Sequence, residues 1–174
     1  IGKSAKGAYF TDIDGNRFID IAMGFGVNLF GHNPDFVQKA LRKSVDQGFH
    51  LGPVDYSGIE VAELISDIAG VERVAFSNSG TEAIMLACRT ARAATGKNKI
   101  VIFNNAYHGH YSEMLFVSGM KPGEIFPQSS GIPDSLGQNL VVLNYGEQQS
   151  LDYIAAHSDE IAMVMVYAGV SDSN

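Results

Sequence analysis

Three short, uninterrupted apolar runs constrain the fold of this chain most. They lie in the predicted strands 99–103, where the apolar run starts at Ile100 after Lys99, 140–143 and 161–166, and a helical pattern at 147–157 separates the last two. A strand that is buried on both faces appears as a continuous apolar run, and helices that alternate with such strands are typical of a parallel sheet. The sequence therefore predicts an α/β fold, mainly a parallel sheet with helices on both faces.

Two further elements precede these runs. Residues 73–76 predict a short strand and residues 81–94 a helix. A long connection rich in Gly, Pro and Ser then lies between 114 and 139. Loops of that length in a compact domain are usually functional or mobile.

The beginning of the chain predicts a β-hairpin at 9–21. Two apolar segments flank Asp14-Gly15-Asn16 there, and Asp-Gly favours a tight turn because glycine accepts a positive φ. The glycine-rich segment Met23–His32 follows, and it is not expected to be regular.

Two helices are expected next. Asn33-Pro34 supplies an N-cap and a first-turn proline for a helix that ends near Gly48. A second helix is expected at 58–69, and Gly70 is placed to stop it.

Composition excludes several classes of function. The formal net charge is -7, and the only dense group of basic residues is Lys39, Arg42 and Lys43. Nucleic-acid binding needs clustered Lys and Arg, so no nucleic-acid partner is expected. Cys88 is the only cysteine, which rules out a disulfide framework and fits a cytoplasmic protein. No apolar run approaches the ~20 residues that cross a membrane, so no membrane partner is expected.

Ser79-Gly80-Thr81-Glu82 has the pattern of a helix start that binds an anion. Ser79 is a good N-cap and Glu82, three residues later, completes a capping box. Gly80 lets a ligand approach the backbone closely. The first-turn N–H groups and the helix dipole favour a phosphate group. On spacing alone, a plain capped helix without a ligand is an equally good interpretation.

A second polar cluster, Asn104–His110, directly follows the predicted strand at 99–103. Ligands of open α/β sheets bind beyond the carboxyl ends of the strands, so this cluster and Ser79 should face one crevice. Tyr107, followed by His-Gly-His, could cover a flat ligand ring there. The alternatives are a half-buried loop aromatic for Tyr107 and, for His108, a core or loop histidine bonded to the backbone.

A metal site is not expected at the histidines. His108, His110 and Glu113 are close in sequence, but His-x-His alone is weak, because zinc sites need a third defined protein ligand with supporting residues. The hypothesis of a nucleotide-binding Rossmann domain is also weakened, since Gly24-Phe25-Gly26 lacks the third glycine of the dinucleotide fingerprint.

The order of motifs resembles that of class III pyridoxal-phosphate aminotransferases, and most of all the glutamate-1-semialdehyde aminomutase group. Five motifs carry this likeness: Asp14–Asp20, Gly31–Pro34, Asn78–Ala83, Arg89–Gly96 and Tyr107–His110. Within that group, residues 94–110 and 144–146 resemble aminotransferase domains embedded in hybrid polyketide/nonribosomal peptide synthetases.

The resemblance implies a fold-type-I architecture and a pyridoxal 5'-phosphate cofactor. Residues 1–50 would form an N-terminal hairpin and helix segment near a homodimer interface and the active-site entrance, with Met23–Phe30 on the substrate side. Residues 51–174 would begin the large cofactor domain, which is incomplete here. Ser79, Gly80 and Thr81 would hold the cofactor phosphate. Tyr107 would stack on the pyridine ring, with His108 beside it.

The resemblance also implies that catalytic residues are missing. The family's Schiff-base lysine and the aspartate that pairs with the pyridinium nitrogen lie further along the family's chain than this one extends. None of the lysines present occupies the family's lysine motif: Lys3, Lys6, Lys39, Lys43, Lys97, Lys99 and Lys121. The family usually has Glu-Pro after the last strand, where this chain has Tyr167-Ala168-Gly169. We therefore expect a piece of a longer polypeptide that contains no catalytic residue.

The function that the resemblance implies is transfer of an amino group from a donor amino acid to a carbonyl acceptor, with a carrier-bound β-ketoacyl group as one candidate acceptor. Two alternatives stay open. One is an aminomutase, which shifts the amino group within one molecule. The other is a non-catalytic interaction domain on a transaminase scaffold.

Overall fold

A computed structural model describes residues 1–48, 55–120 and 123–167. The chain divides into two compact units, Ile1–Val74 and Ala75–Asn174. The boundary expected between residues 50 and 51 falls outside the described residues and stays a prediction. The atypical segment after Tyr167 also lies outside them, as does Lys121.

The first unit contains a three-stranded antiparallel sheet. Its strands are β1 (Gly2–Lys6), β2 (Tyr9–Asp12) and β3 (Arg17–Ile19), in the order β1-β2-β3. The predicted hairpin is confirmed as β2 and β3. Its turn is closed by the Asp12 carboxylate, which accepts hydrogen bonds from the backbone N–H groups of Asp14 (3.0 Å) and Asn16 (2.8 Å). Strand β1 was not expected, because its mostly polar residues carry no apolar alternation.

Two helices follow in the first unit, α1 (Asp35–Gln47) and α2 (Tyr56–Ala69). The prediction that Asn33 caps α1 is wrong: the N-cap is Pro34, with no side-chain hydrogen bond. Asn33 instead takes a φ of 55°, a left-handed conformation that asparagine tolerates and that turns the chain before the helix starts.

The expected stops of both helices are confirmed. Gly48 ends α1, and Gly70 ends α2 with a φ of 67°. The N–H of Gly70 donates to the carbonyl of Ser66 over 2.9 Å, which satisfies one of the free carbonyls at the end of α2.

The second unit contains the predicted parallel sheet. Helix α3 (Gly80–Thr95) leads into β4 (Lys99–Phe103), and helix α4 (Gln148–Ala156) connects β7 (Leu140–Leu143) to β8 (Ile161–Val164). The strands lie in the order β7-β4-β8, and β4 pairs in parallel with both neighbours. The carboxyl ends of β4 and β7 therefore lie side by side.

The strand predicted at 73–76 is wrong. These residues are irregular and form no ladder with any strand in the described part of the chain. Apolar content alone does not make a strand, because the backbone N–H and C=O groups need a paired neighbour. Strand β8 is also shorter than expected, although the N–H of Met165 still donates to the carbonyl of Val101 over 2.8 Å.

The long connection between 114 and 139 has its own structure. It contains the antiparallel pair β5 (Phe116–Ser118) and β6 (Ile125–Pro127), together with a 3-10 helix at Asp134–Gly137. Another 3-10 helix, Ser112–Met114, directly precedes it. The connection also contributes to the core, whose buried side chains are Cys88, Ile100, Ile102, Met114, Phe116, Ile132, Leu140, Val142 and Met165. No helix among the described residues is both long and apolar enough to span a bilayer.

Candidate functional site

Helix α3 begins with the predicted cap. The hydroxyl of Ser79 accepts a hydrogen bond from the N–H of Glu82 over 3.2 Å. The reciprocal bond of the expected capping box is displaced by one residue, because the Glu82 carboxylate accepts from the N–H of Asn78 (2.7 Å) rather than from Ser79. Among the described residues, none accepts from the N–H groups of Ser79, Gly80 or Thr81. The start of α3 thus keeps several donors for an anion.

The two polar clusters of the sequence meet at Thr81. The N–H of His110 donates to the Thr81 hydroxyl over 3.1 Å. Gly109 has a φ of 84° and lies so close to the helix that an added β carbon would overlap the Thr81 hydroxyl and come within 2.9 Å of its Cα. Only glycine permits this approach without a shift. This contact brings the two clusters together, and that they face one crevice stays a prediction.

Tyr107 and His108 have contrasting environments in the same loop. The side chain of Tyr107 is 58% exposed, and its ring lies edge-on to that of His110 with centroids 5.9 Å apart. His108 is buried, and its Nε2 has no hydrogen-bond partner in the described residues. Burial lowers the pKa of His108, which favours the neutral imidazole. The alternative of a His108 hydrogen-bonded to the backbone therefore does not hold for its Nε2.

An ion pair that the sequence does not predict joins helix α3 to the 3-10 helix that follows this loop. Glu113, considered only as a metal ligand, is buried and pairs with both terminal nitrogens of Arg92. Burial acts to raise the pKa of Glu113, but hydrogen bonds from Arg92 and Tyr111 outweigh it and hold that pKa below its ordinary value. Arg92 and Glu113 are 21 residues apart, so no local spacing pointed to the pair. No group of three metal-ligating side chains is found in the described ranges.

Asn104 anchors the start of the loop. Its side chain donates to the Ser118 hydroxyl and to Oδ1 of Asn144 (2.6 Å), and it accepts from the N–H of Ser118 over 3.1 Å. Asn104 follows β4 and Asn144 follows β7, so the bond between them ties together the carboxyl ends of two parallel strands. The sequence does not indicate this bond, because Asn104 and Asn144 are 40 residues apart in the chain.

Two lysines of the second unit have structural contacts. Lys97 donates to the carbonyl of Ser158 over 2.6 Å, and Lys99 pairs with Glu160. The two contacts hold the turn before β4 and the first residue of β4 against the turn before β8. That the chain holds no catalytic lysine stays a prediction.

Comparison with known proteins gives a consistent result. The family model described as "Aminotransferase class-III" matches residues 1–168. A glutamate-1-semialdehyde 2,1-aminomutase of Deinococcus radiodurans is 39% identical over 171 residues, which are 93% of this chain and 38% of that protein. The chain thus spans about two fifths of the length of this relative.

Solved structures agree in fold. An omega-transaminase from Sphaerobacter thermophilus superposes with a TM-score of 0.86 at 30% identity, over 94% of this chain and 39% of that one. A structure described as a transaminase with PLP bound gives a TM-score of 0.83 at 31% identity, with the same coverage of 94% and 39%. With the family model matching nearly the whole chain, the chain belongs to the class III aminotransferase family.

Proposed function

We propose that this chain carries the phosphate- and ring-binding part of a pyridoxal-phosphate-dependent aminotransferase. One observation carries the proposal: the contact of His110 and Gly109 with Thr81 brings the start of α3 next to the loop that bears Tyr107. Family membership supplies the cofactor, since a structurally similar transaminase has PLP bound. The reaction would move an amino group from a donor amino acid to a carbonyl acceptor.

The start of α3 would hold the phosphate. The N–H groups of Ser79, Gly80 and Thr81 supply donors at the positive end of the helix dipole, where a dianion is most favoured. Gly80 has no neighbouring atom within 4 Å of the place where a β carbon would stand, apart from its chain neighbours and its own helix backbone. A phosphate can therefore approach this backbone closely.

The loop after β4 would hold the ring. The half-exposed Tyr107 side chain offers an aromatic surface for stacking. His108, the next residue in the loop, would sit beside the ring; burial holds it neutral, and its Nε2 has no hydrogen-bond partner in the described residues. When bound, pyridoxal phosphate supplies an electron-withdrawing ring that carries the amino group between the two halves of the reaction.

Residues 1–174 alone are proposed to be inactive. None of the lysines matches the family's covalent lysine motif, and this chain covers only 38% of the Deinococcus relative. The isolated chain would hold at most the phosphate end of the cofactor, and weakly. Transamination by residues 1–174 alone would refute this.

An aminomutase is the second candidate. It is favoured by the 39% identity to the Deinococcus glutamate-1-semialdehyde 2,1-aminomutase. The two reactions differ in their need for a separate amino donor. The full-length protein should stay inactive with the acceptor alone if it is an aminotransferase, whereas an aminomutase would convert a single amino-aldehyde substrate without a donor.

The acceptor and the setting are proposed from the sequence resemblance. Likeness at residues 94–110 and 144–146 to synthetase-embedded domains supports a carrier-bound β-ketoacyl acceptor. Faster amination of a carrier-bound β-ketothioester than of the free β-keto acid would support it. We further propose a cytoplasmic homodimer that associates through the large domain and has no nucleic-acid or membrane partner, which sedimentation and localisation of the full-length protein would test.

The deciding experiment is spectroscopic. The full-length protein should show a visible absorption band on adding pyridoxal phosphate, and borohydride should abolish the band and leave the cofactor covalently attached to a lysine. Absence of both the band and the labelled lysine would exclude either enzyme function. That result would favour a non-catalytic domain on a transaminase scaffold.

A further inference from the structure

The carboxylate of Glu113 is fully engaged although it is buried. Its two oxygens accept from the two terminal nitrogens of Arg92, Nη1 at 3.2 Å and Nη2 closer, and the Tyr111 hydroxyl donates to Oε2 over 2.6 Å. Arg92 uses its remaining Nε–H on the carbonyl of Asn98, at 3.0 Å. A two-pronged contact of this kind fixes the orientation of both groups, because the planar guanidinium meets the carboxylate in one plane.

The pair joins the ring-binding loop to the same helix that would bind the phosphate. Glu113 lies three residues after His110, whose N–H is bound to Thr81 at the beginning of α3. Arg92 lies in the last turn of α3, roughly 16 Å along the axis from Thr81 at the usual helical rise. The segment after Asn104 is therefore fastened to α3 at two well-separated points.

This arrangement is better suited to positioning than to stabilising. A buried ion pair is often no more stabilising than apolar side chains of the same volume, whereas its geometry is directional. The neighbouring titratable side chain on α3 is Cys88, and burial, with a smaller contribution from Glu113, raises the pKa of that thiol. Cys88 therefore stays neutral and does not compete with Glu113 for Arg92.

We propose that the Arg92–Glu113 pair, completed by the Tyr111 hydroxyl, is a positioning device that holds Tyr107 and His108 in place against helix α3. The inference rests on the proposed function, because it assigns the device to the ring of pyridoxal phosphate. It predicts that loosening the pair weakens ring binding and leaves the phosphate contacts at the start of α3 in place.

The test uses the full-length protein with Glu113→Gln, which removes the charge and keeps the shape. Two matched controls accompany it. Cys88→Ala weakens the core next to the pair and leaves both charges, and Glu160→Gln removes the carboxylate of the separate Lys99 pair. Three quantities are measured. They are the melting temperature, the dissociation constant of pyridoxal phosphate together with the visible circular dichroism of the bound cofactor, and the inhibition constant of inorganic phosphate as a competitor of pyridoxal-phosphate binding.

The Glu113→Gln protein should bind pyridoxal phosphate roughly tenfold more weakly if the loop is correctly placed only about a tenth of the time. Its induced circular dichroism should fall, while the inhibition constant of phosphate stays close to that of the wild type. Both controls should bind the cofactor as the wild type does, even though Cys88→Ala lowers the melting temperature.

Some results would overturn the inference. One is a Glu113→Gln protein that is less heat-stable but has wild-type cofactor affinity and circular dichroism, which would make the pair merely structural. If Glu113→Gln does not fold, Tyr111→Phe removes only one hydrogen bond and should shift both cofactor readouts in the same direction, and no shift would overturn the inference. A wild-type protein without any cofactor band would instead overturn the proposed function and this inference together.

Discussion

The backbone N–H of His110 donates a hydrogen bond to the hydroxyl of Thr81 over 3.1 Å, although the two residues are 29 positions apart. This bond joins the second residue of helix α3 to the loop that leaves the carboxyl end of β4. It connects the proposed phosphate site to the proposed ring site, so a change at the junction should affect cofactor binding more than stability.

The first prediction concerns Gly109. Alanine there would overlap the Thr81 hydroxyl and must also adopt a φ of 84°. The overlap should push the loop away from α3, and the dissociation constant of pyridoxal phosphate should rise about tenfold if the loop then occupies its native position only about a tenth of the time. Titration of the full-length protein with the cofactor measures this.

Gly146→Ala is the matched control for that substitution. Gly146 has nearly the same φ, 81°, but nothing lies within 4 Å of an added β carbon. It should lower the melting temperature through backbone strain alone and leave cofactor affinity unchanged. Equal loss of affinity in both variants would mean that the contact with Thr81 is not what matters.

A second prediction separates the helix cap from the phosphate site at Ser79. Ser79→Asp should keep the melting temperature, because aspartate caps helices as well as serine does and its charge suits the helix dipole. The same charge should repel the phosphate and weaken pyridoxal-phosphate binding at least about tenfold. Calorimetric unfolding and cofactor titration measure the two effects separately.

Ser79→Ala should give the complementary result. It removes the bond to the N–H of Glu82, so the free energy of unfolding should fall by about 1 kcal/mol, whereas cofactor affinity should fall less than in Ser79→Asp. If Ser79→Asp binds the cofactor as well as the wild type does, the phosphate does not lie at this helix start.

The sequence predicted best what depends on local patterns. The strand at Lys99–Phe103, the turn at Asp14–Asn16 and the stop at Gly70 each follow from residues close together in the chain. The capping residue Ser79 was also predicted correctly, because an N-cap bond spans only three residues. Apolar periodicity and turn chemistry are sufficient for such features.

Features that depend on distant partners were not predictable in this way. Residues 73–76 look like a strand, yet in the described structure no neighbour pairs with them. The partners of Glu113 and Asn104 depend on how α3, β4 and β7 are placed in space. A single sequence contains the residues of such pairs but not the distance between them.

A third prediction concerns the ring of Tyr107. Tyr107→Phe keeps an aromatic surface and should bind pyridoxal phosphate within about twofold of the wild type, whereas Tyr107→Ala should bind it roughly 3- to 10-fold more weakly, the size of one aromatic contact. The side chain is 58% exposed, so neither change should lower the melting temperature much. Equal affinity of the alanine variant and the wild type would exclude stacking on Tyr107.

The last prediction concerns pH and His108. Burial holds the pKa of His108 below its ordinary value of 6.5. As pH falls through 6.5, the unfolded chain therefore binds a proton that the folded chain does not, and the free energy of unfolding decreases. The free energy of unfolding keeps decreasing until the pH falls below the lowered pKa of His108 in the folded protein.

His108→Gln should remove this contribution. The melting temperature of the cofactor-free full-length protein should then fall less between neutral and mildly acidic pH than that of the wild type. Titration of the imidazole by nuclear magnetic resonance gives an independent check, because the His108 signal should shift at a lower pH than 6.5. An unchanged pH dependence in the variant, together with a His108 signal that titrates at or above 6.5, would contradict the burial of a neutral His108 ring in the folded protein.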